Sequence, residues 1–130
     1  MKEILGLLLI LIIGAYSEQK FYNNPNIIEL DVNNFNDKVI KSSNAWVVEF
    51  YSPYCPNCQN FKPHFEAAAR KLSVVFKVGA VDITKNRPLA VKYRVERYPV
   101  IKIFRADKNH PEHYNGQLTA NALVATAFNG

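Results

Sequence analysis

Two cysteines, Cys55 and Cys58, are the residues of this 130-residue sequence whose type and spacing best suit chemistry. They are the only cysteines in the chain, and Pro56 and Asn57 separate them. A disulfide between them would close a very small loop, and the loop-entropy account assigns small loops the least stabilisation. The pair therefore favours redox chemistry or metal binding over a purely structural disulfide.

Zinc binding is the main alternative, since a Cys-x-x-Cys pair is also half of a four-ligand zinc site. Only His64, His110 and His113 could supply nitrogen ligands, and none follows the usual ligand spacing. Each lies beside polar or proline residues that are typical of a protein surface. The sequence therefore predicts no metal site and three solvent-facing histidines.

A helix is predicted to begin close to Cys55. Pro56 suits a first helical turn, where its missing N–H would be unpaired anyway, and Phe61 and Phe65 belong to an apolar face that follows. The sulfur of Cys55 would then face free backbone N–H groups and the positive end of the helix dipole, which favour the thiolate. Cys58 would lie one turn further in and be more shielded. This arrangement predicts an exposed attacking thiol and a resolving thiol that releases the mixed disulfide.

Glu49 is unusual because it lies in the middle of the most apolar segment of the chain, Ala45–Tyr51. That segment is rich in β-branched and aromatic residues and predicts a central strand covered on both faces. A buried carboxyl without a partner keeps its proton near neutral pH, and beneath the cysteines it could exchange a proton with Cys58. The alternative is a strand-end glutamate that reaches solvent, and spacing alone does not decide between the two.

The other elements that must position these residues follow from apolar periodicity and turn residues. Helices are predicted after the capping residues Asn33 and Asn34 through Phe35, Val39 and Ile40, and over Leu89–Tyr93 and Thr119–Phe128. Strands are predicted at Ile27–Val32, Val74–Val81 and Val100–Phe104, and around His113 and Tyr114. The order β-α-β-α-β-α-β-β-α predicts an α/β architecture with a central mixed sheet flanked by helices.

Two prolines, Pro63 and Pro99, lead to separate predictions about the backbone. Pro63 lies inside the helix after Cys55 and should kink it. Pro99 opens the strand Val100–Phe104, and because most X–Pro bonds are trans, a trans turn proline is the expectation from spacing.

The first residues predict a signal peptide over 1–17, because Lys2 precedes a short apolar run and small residues follow at Ala15 and Ser17. The run is too short to span a bilayer, although an uncleaved anchor is the alternative. Residues 18–26 are predicted as a polar leader and 27–130 as one domain. This organisation places the domain in an oxidising compartment, with no membrane attachment once the signal is removed.

The net charge of +5 is spread along the chain, without a run of five or six like charges. Such a distribution is typical of a solvated surface and excludes a nucleic-acid-binding arm. A basic patch for acidic partners or lipid is the alternative.

Four stretches together resemble the thioredoxin-like domain of the protein disulfide isomerase family, and within it the first catalytic domain of A6-type members. They are Trp46-Val-Val-Glu-Phe-Tyr-Ser-Pro-Tyr-Cys-Pro-Asn-Cys58, Lys77-Val-Gly-Ala-Val-Asp82, Tyr98-Pro-Val-Ile-Lys-Ile-Phe104 and Pro111-Glu-His-Tyr-Asn-Gly116. The likeness covers roughly residues 26 to 129 and implies a thioredoxin fold. It also implies that Cys55 is the nucleophile, Cys58 the resolving cysteine and Glu49 the buried proton acceptor.

The resemblance also implies a substrate-binding surface. Pro99 matches the family's cis-proline that faces the disulfide, where the backbone beside Tyr98 would pair with an extended substrate peptide. Tyr54 stands where the family usually has a tryptophan, and this position implies an aromatic platform for unfolded clients.

Three positions depart from the family pattern. Pro56 and Asn57 replace the usual Gly-His, so the cation that would stabilise the Cys55 thiolate is missing and the disulfide should be a weaker oxidant. Leu118 replaces an arginine that assists reoxidation in the family. Arg97 replaces a common glycine, and the hypothesis that it partly restores positive charge near Cys55 stands beside the simpler interpretation of a loop arginine in water.

The resulting hypothesis is a thiol–disulfide oxidoreductase or isomerase that acts on client proteins in the secretory pathway, needs no cofactor and is recycled by a redox partner. The alternative is a chaperone-like module that binds unfolded chains and whose disulfide is incidental. The endoplasmic reticulum lumen is the expected location. Secretion is the alternative, because no Lys-Asp-Glu-Leu type signal is present at the C-terminus.

Overall fold

The computed structural model describes residues 19–130, so the predicted signal peptide over 1–17 lies outside the described residues. The elements are β1 (Ile28–Leu30), a short π-type helix that we label α1 (Asn36–Ile40), β2 (Trp46–Tyr51), α2 (Pro56–Leu72), β3 (Lys77–Asp82), α3 (Arg87–Lys92), β4 (Val100–Phe104), β5 (Glu112–His113) and α4 (Ala120–Phe128). The predicted order of strands and helices is confirmed. Within residues 19–130, no helix has the length and apolar character that a bilayer crossing requires.

The five strands form one sheet in the order β1-β3-β2-β4-β5. Strands β1, β3 and β2 are mutually parallel, whereas β4 and β5 are antiparallel to their neighbours, so the predicted mixed sheet is confirmed. Every residue of β2 is buried, since this strand is central and covered on both faces. One core cluster joins the sheet to α2 and α4, and a second joins its other face to α1 and α3.

The turn after α2 shows that the strand predicted from Val74 begins later, at Lys77. Val74 is 83% exposed and Val75 is also exposed. The backbone N–H groups of Val75 and Phe76 both donate to the carbonyl of Leu72, so this stretch closes the helix end instead of pairing with the sheet. The expectation was wrong here because apolar type alone does not distinguish a solvent-facing turn from a strand.

The caps predicted at Asn33 and Asn34 are also wrong. The carboxylate of Asp31 accepts hydrogen bonds from the backbone N–H groups of both asparagines, over 2.8 and 2.9 Å. The Asn34 side chain in turn accepts from the N–H of Asp31 over 2.8 Å. The asparagines therefore form a turn with Asp31, and α1 begins after it, at Asn36, with no side-chain cap.

The segment predicted as a polar leader contributes to the core. Tyr22 is buried, and Phe21 packs against the same cluster with its ring stacked on Tyr51 at a centroid distance of 4.6 Å. Two adjacent aromatic side chains bury enough apolar surface to fix residues 21 and 22, and the leader boundary at 18–26 stays a prediction.

Candidate functional site

Cys55 lies between β2, which ends at Tyr51, and α2, which begins at Pro56. Its backbone is extended, with φ −83° and ψ 121°, and it is the N-cap of α2 with Pro56 directly after it. The Sγ atom of Cys55 accepts a hydrogen bond from the backbone N–H of Cys58 over 3.2 Å. The predicted helix start is confirmed, and the sulfur occupies the position where a capping oxygen usually satisfies a free N–H group. Helix α2 continues through Pro63, and the kink expected there stays a prediction.

The two cysteines differ in burial, and both are free thiols. Cys58 is fully buried, whereas Cys55 is only partly buried. Burial and a hydrogen bond with the Cys55 side chain raise the pKa of the Cys58 thiol to about 12, and the backbone at Ser52 acts in the opposite direction. Cys58 therefore keeps its proton at neutral pH, so its use as a nucleophile requires a base.

The Tyr98–Pro99 peptide bond is cis. The trans form expected from spacing alone was wrong, and the form that the resemblance implied is the one present. The Cys55 thiol donates to the carbonyl oxygen of Tyr98 over 3.8 Å. The turn before β4 thus lies directly against the first cysteine.

Glu49 is fully buried at the centre of the sheet, so the alternative of a glutamate that reaches solvent is wrong. Its Oε1 atom accepts a hydrogen bond from the hydroxyl of Tyr22 over 2.5 Å, and its Oε2 atom has no hydrogen-bond partner within residues 19–130. Burial raises the pKa of the Glu49 carboxyl to about 8, and the hydrogen bond from Tyr22 acts in the opposite direction. The charge of Glu49 also contributes to the raised pKa of Cys58, which places the two groups within electrostatic reach.

Two tyrosines next to the cysteine pair are exposed to solvent. Tyr54, directly before Cys55, is 81% exposed, and Tyr98 is 38% exposed. Pro56 and Asn57 are exposed on the first turn of α2. The site therefore presents exposed aromatic side chains close to a partly exposed sulfur.

Arg97 is exposed and lines a cleft beside Pro99 together with Arg94 and His113. Its positive charge contributes to a lowered pKa of His113, after burial and the charge of Lys102. In the described part of the chain no hydrogen bond or ion pair joins Arg97 to Cys55. The hypothesis that Arg97 supplies charge to Cys55 stays a prediction.

The remaining candidates make no hydrogen bond or ion pair with either cysteine within residues 19–130. His64, His110 and His113 are exposed, as predicted, and His110 is paired with Asp107 over 2.8 Å. Leu118 is partly exposed in the loop before α4. Across residues 19–130, no three side chains of the His, Cys, Asp and Glu types come together in a way that could hold a metal ion.

Tyr22 is the residue of this site that sequence reasoning missed. The signal that could have found it is the aromatic pair Phe21-Tyr22 in an otherwise polar stretch, since aromatic side chains dominate core packing. No local pattern connects this pair with Glu49, which lies 27 positions away in the chain.

Comparison with protein families finds the thioredoxin model over residues 26–128. Protein disulfide-isomerase A6 of Mesocricetus auratus is 45% identical over 115 residues, which cover 88% of this chain and 25% of that protein. The human protein of the same name is 44% identical over 115 residues, which again cover 88% of this chain and 25% of that protein. The chain thus spans about a quarter of the length of these curated relatives.

Solved structures give the same result for the fold. The Trx4 domain of ERdj5 has a TM-score of 0.74 and 33% identity, covering 80% of this chain and 94% of that chain. The first thioredoxin domain of mouse protein disulfide-isomerase A4 has a TM-score of 0.72 and 28% identity. The match covers 88% of this chain and 86% of that domain's chain. The thioredoxin fold and the family resemblance expected from the sequence are confirmed.

Proposed function

This chain belongs to the thioredoxin family, and from that premise we propose that it exchanges thiols and disulfides with client proteins through Cys55 and Cys58. The observation that carries the proposal is the asymmetry of the pair within one helical turn. Cys55 is partly exposed at the N-cap of α2, whereas Cys58 is fully buried behind it. Such an arrangement separates an attacking thiol from a resolving one.

In the proposed reductive direction, the thiolate of Cys55 attacks a client disulfide. A bond forms between Cys55 and one client sulfur, and the other client sulfur leaves as a thiolate that takes up a proton. Cys58 then transfers its proton to the Glu49 carboxylate and attacks Cys55, releasing the second client thiolate. The client gains two electrons and the cysteine pair loses them as it forms a disulfide.

The buried carboxyl supports the role proposed for Glu49. The raised pKa of Cys58 means that its proton is not lost to water at neutral pH, and Glu49 is the buried base within electrostatic reach. A pKa of about 8 leaves a minor but significant ionised fraction near pH 7 and allows the group to return the proton in the reverse reaction.

Client recognition is proposed at Tyr54, Tyr98 and Pro99. The exposed ring of Tyr54 offers apolar contact, and the backbone beside Tyr98 offers hydrogen bonds to an extended peptide. The carbonyl oxygen of Tyr98 already lies 3.8 Å from the Cys55 sulfur, so a strand bound there would carry its own sulfur to the attacking thiol.

We propose reduction or isomerisation as the net direction of transfer, on the basis of two residues of the chain. Asn57 brings no cation to the first turn of α2, and Leu118 offers none from its loop. The missing cation at position 57 favours reduction or isomerisation over oxidation, because a less stabilised thiolate makes the disulfide a weaker oxidant. Leu118 supports the same direction, because the resemblance implies an arginine there that assists reoxidation. A separate redox partner must then restore the dithiol.

We place this activity in the endoplasmic reticulum lumen, after removal of a signal peptide over residues 1–17, with secretion as the alternative. The support is the short apolar run that opens the sequence and the similarity to protein disulfide-isomerases.

An insulin-reduction assay with a thiol reductant tests the proposal. The wild type should accelerate reduction, and Cys55→Ser should abolish the acceleration. Equal rates for the two proteins would overturn the proposal and favour a chaperone-like binding module, a function that the strong exposure of Tyr54 would also serve. Suppression of aggregation of a cysteine-free unfolded client measures that second function without redox chemistry.

A further inference from the structure

Tyr22 is a buried tyrosine that the mechanism above leaves without a role. It precedes β1 and lies outside residues 26–128, the part that matches the thioredoxin family model. Its ring lies 4.9 Å from that of Phe21 and 5.6 Å from those of Tyr51 and Phe65, between ring centroids. Three aromatic contacts therefore fix the direction in which its hydroxyl points.

That hydroxyl acts on one oxygen of Glu49 only. Oε1 accepts the hydrogen bond from Tyr22 over 2.5 Å, and Oε2 is buried without a partner within the described residues. A carboxyl held at one oxygen by a fixed donor cannot rotate freely, so the free oxygen keeps one direction. Oε2 is therefore the carboxyl oxygen that no hydrogen bond occupies within residues 19–130.

We infer that Tyr22 is a positioning residue, which holds Oε1 of Glu49 so that Oε2 is the atom that receives the proton of Cys58. The inference rests on the function proposed above. In this step the Cys58 S–H bond breaks, an O–H bond forms at Oε2, and the Cys58 sulfur bonds to Cys55 while the client sulfur leaves as a thiolate. The O–H bond of Tyr22 stays intact throughout.

The hydrogen bond from Tyr22 also affects the pKa of Glu49. Burial raises the pKa of this carboxyl to about 8 and Tyr22 lowers it, because the hydroxyl donates more strongly to the charged form. The other titratable groups in electrostatic contact with Glu49 or with its neighbouring tyrosines are Tyr51 of β2, Cys58 and Glu66 of α2, Glu29 of β1 and Asp82 of β3. Each of these groups is neutral or acidic, and the nearby cation of Lys62 lies over the ring of Phe21, 5.2 Å from its centroid. Among the contacts that change the pKa of Glu49 within residues 19–130, the hydrogen bond from Tyr22 is the one that favours the ionised carboxyl.

The variant Tyr22→Phe removes the hydroxyl and keeps the ring. A carbon-13 NMR titration of the Glu49 carboxyl in the reduced protein, assigned by its loss in Glu49→Gln, should give a midpoint near 8 in the wild type. The midpoint should rise by about one pH unit in Tyr22→Phe, since one hydrogen bond to the charged form is lost.

Tyr51→Phe is the matched control, because it deletes a hydroxyl from the neighbouring buried ring. In the part of the chain that the structure describes, Tyr51 makes no hydrogen bond to Glu49, so its variant should keep the wild-type midpoint. A wild-type midpoint in folded Tyr22→Phe overturns the inference, and so does an equal shift in both variants.

A kinetic readout separates positioning from simple support of the fold. The rate of client release from a mixed disulfide preformed at Cys55 should depend on pH. The midpoint of this dependence should lie at higher pH in Tyr22→Phe than in the wild type, and at the wild-type value in Tyr51→Phe. An unmoved profile in Tyr22→Phe overturns the inference. Absence of exchange in the wild type overturns the proposed function instead, and the NMR titration needs no turnover, so the two failures are distinguishable.

A second probe covers the case in which Tyr22→Phe does not fold. Site-specific incorporation of 3-fluorotyrosine at position 22 keeps the ring and the hydroxyl but makes the hydroxyl a stronger donor. The Glu49 midpoint should then fall below that of the wild type. An unchanged midpoint would count against the inference.

Discussion

The carbonyl oxygen of Tyr98 lies 3.8 Å from the sulfur of Cys55, although 43 positions separate the two residues in the chain. One belongs to the turn before β4 and the other to the start of α2. Strands β2 and β4 are antiparallel neighbours, so the end of β2 and the beginning of β4 meet at the same edge of the sheet. The sheet itself therefore brings the attacking sulfur to the peptide group that is proposed to hold the client.

Removing the resolving thiol should trap clients as mixed disulfides with Cys55. In Cys58→Ser, Cys55 still attacks a client disulfide, but nothing inside the protein releases the mixed disulfide. Non-reducing electrophoresis with mass mapping should show clients attached through Cys55, at levels many times those of the wild type.

The matched control is Cys55→Ser, which should accumulate no such adducts because the remaining thiol is fully buried and keeps its proton. Equal trapping by both variants would mean that the two thiols are equally accessible, contrary to the burial that the structure shows.

The strand and the helix start that position Cys55 could be predicted from the sequence, because both have strong local sequence signals. The apolar run through Phe50 predicts a central strand, and Pro56 predicts the helix start that places Cys55 at the N-cap. The cis bond before Pro99 could not be predicted from spacing, since that form depends on contacts of the surrounding fold and not on the local dipeptide.

The surroundings of Glu49 illustrate the same limit. Its position in an apolar strand indicated burial without deciding it, because a single strand does not reveal what covers its two faces. The hydroxyl of Tyr22 that satisfies one of its oxygens comes from a segment with no periodic pattern, so this contact became visible only in the folded chain. Val74 shows the converse error, because its apolar side chain faces solvent in a turn.

Restoring a cation beside the first cysteine should make the disulfide a stronger oxidant. Asn57 is exposed on the first turn of α2, so Asn57→His should be accommodated without disturbing the core. A protonated imidazole there would stabilise the Cys55 thiolate and hence the reduced form, with a rise in reduction potential of about 30 mV, or about tenfold in the equilibrium with glutathione.

The measurement is a glutathione redox titration at neutral pH, and Asn57→Gln is the control because it adds bulk without charge. A potential that is the same in all three proteins would show that the residue at position 57 does not set the redox equilibrium.

Arg97 offers a weaker electrostatic test. If its charge reaches Cys55, as the sequence-based hypothesis holds, Arg97→Ala should slow alkylation of Cys55 at neutral pH about twofold, and added salt should reduce the difference. Arg97→Lys keeps the charge and should match the wild type. The same rate in wild type and Arg97→Ala would show that Arg97 acts only on the cleft that it shares with His113.

The buried carboxyl of Glu49 should make the reduced protein less stable as the pH rises. Its pKa is about 8 in the fold against 4.5 for the free side chain, so the folded state holds a proton that the unfolded state loses between these values. Its stabilising contribution is complete below about pH 4.5 and is lost as the pH rises towards 8. The free energy of unfolding should therefore fall on the order of 3 kcal/mol between about pH 5 and pH 8.

Urea denaturation of the reduced wild type and of Glu49→Gln at about pH 5, 6.5 and 8 measures this loss, since the glutamine cannot ionise and should remove most of the slope. Cys58 does not contribute in this range, because folding raises its pKa from 9.0 and the resulting loss of stability begins only above the unfolded-state value. The two proteins should differ increasingly as the pH rises, with Glu49→Gln relatively more stable at the alkaline end. Parallel pH dependences would mean that the carboxyl is already ionised in the folded protein at pH 5, and Glu49 would then lack the affinity for a proton that its exchange with Cys58 requires.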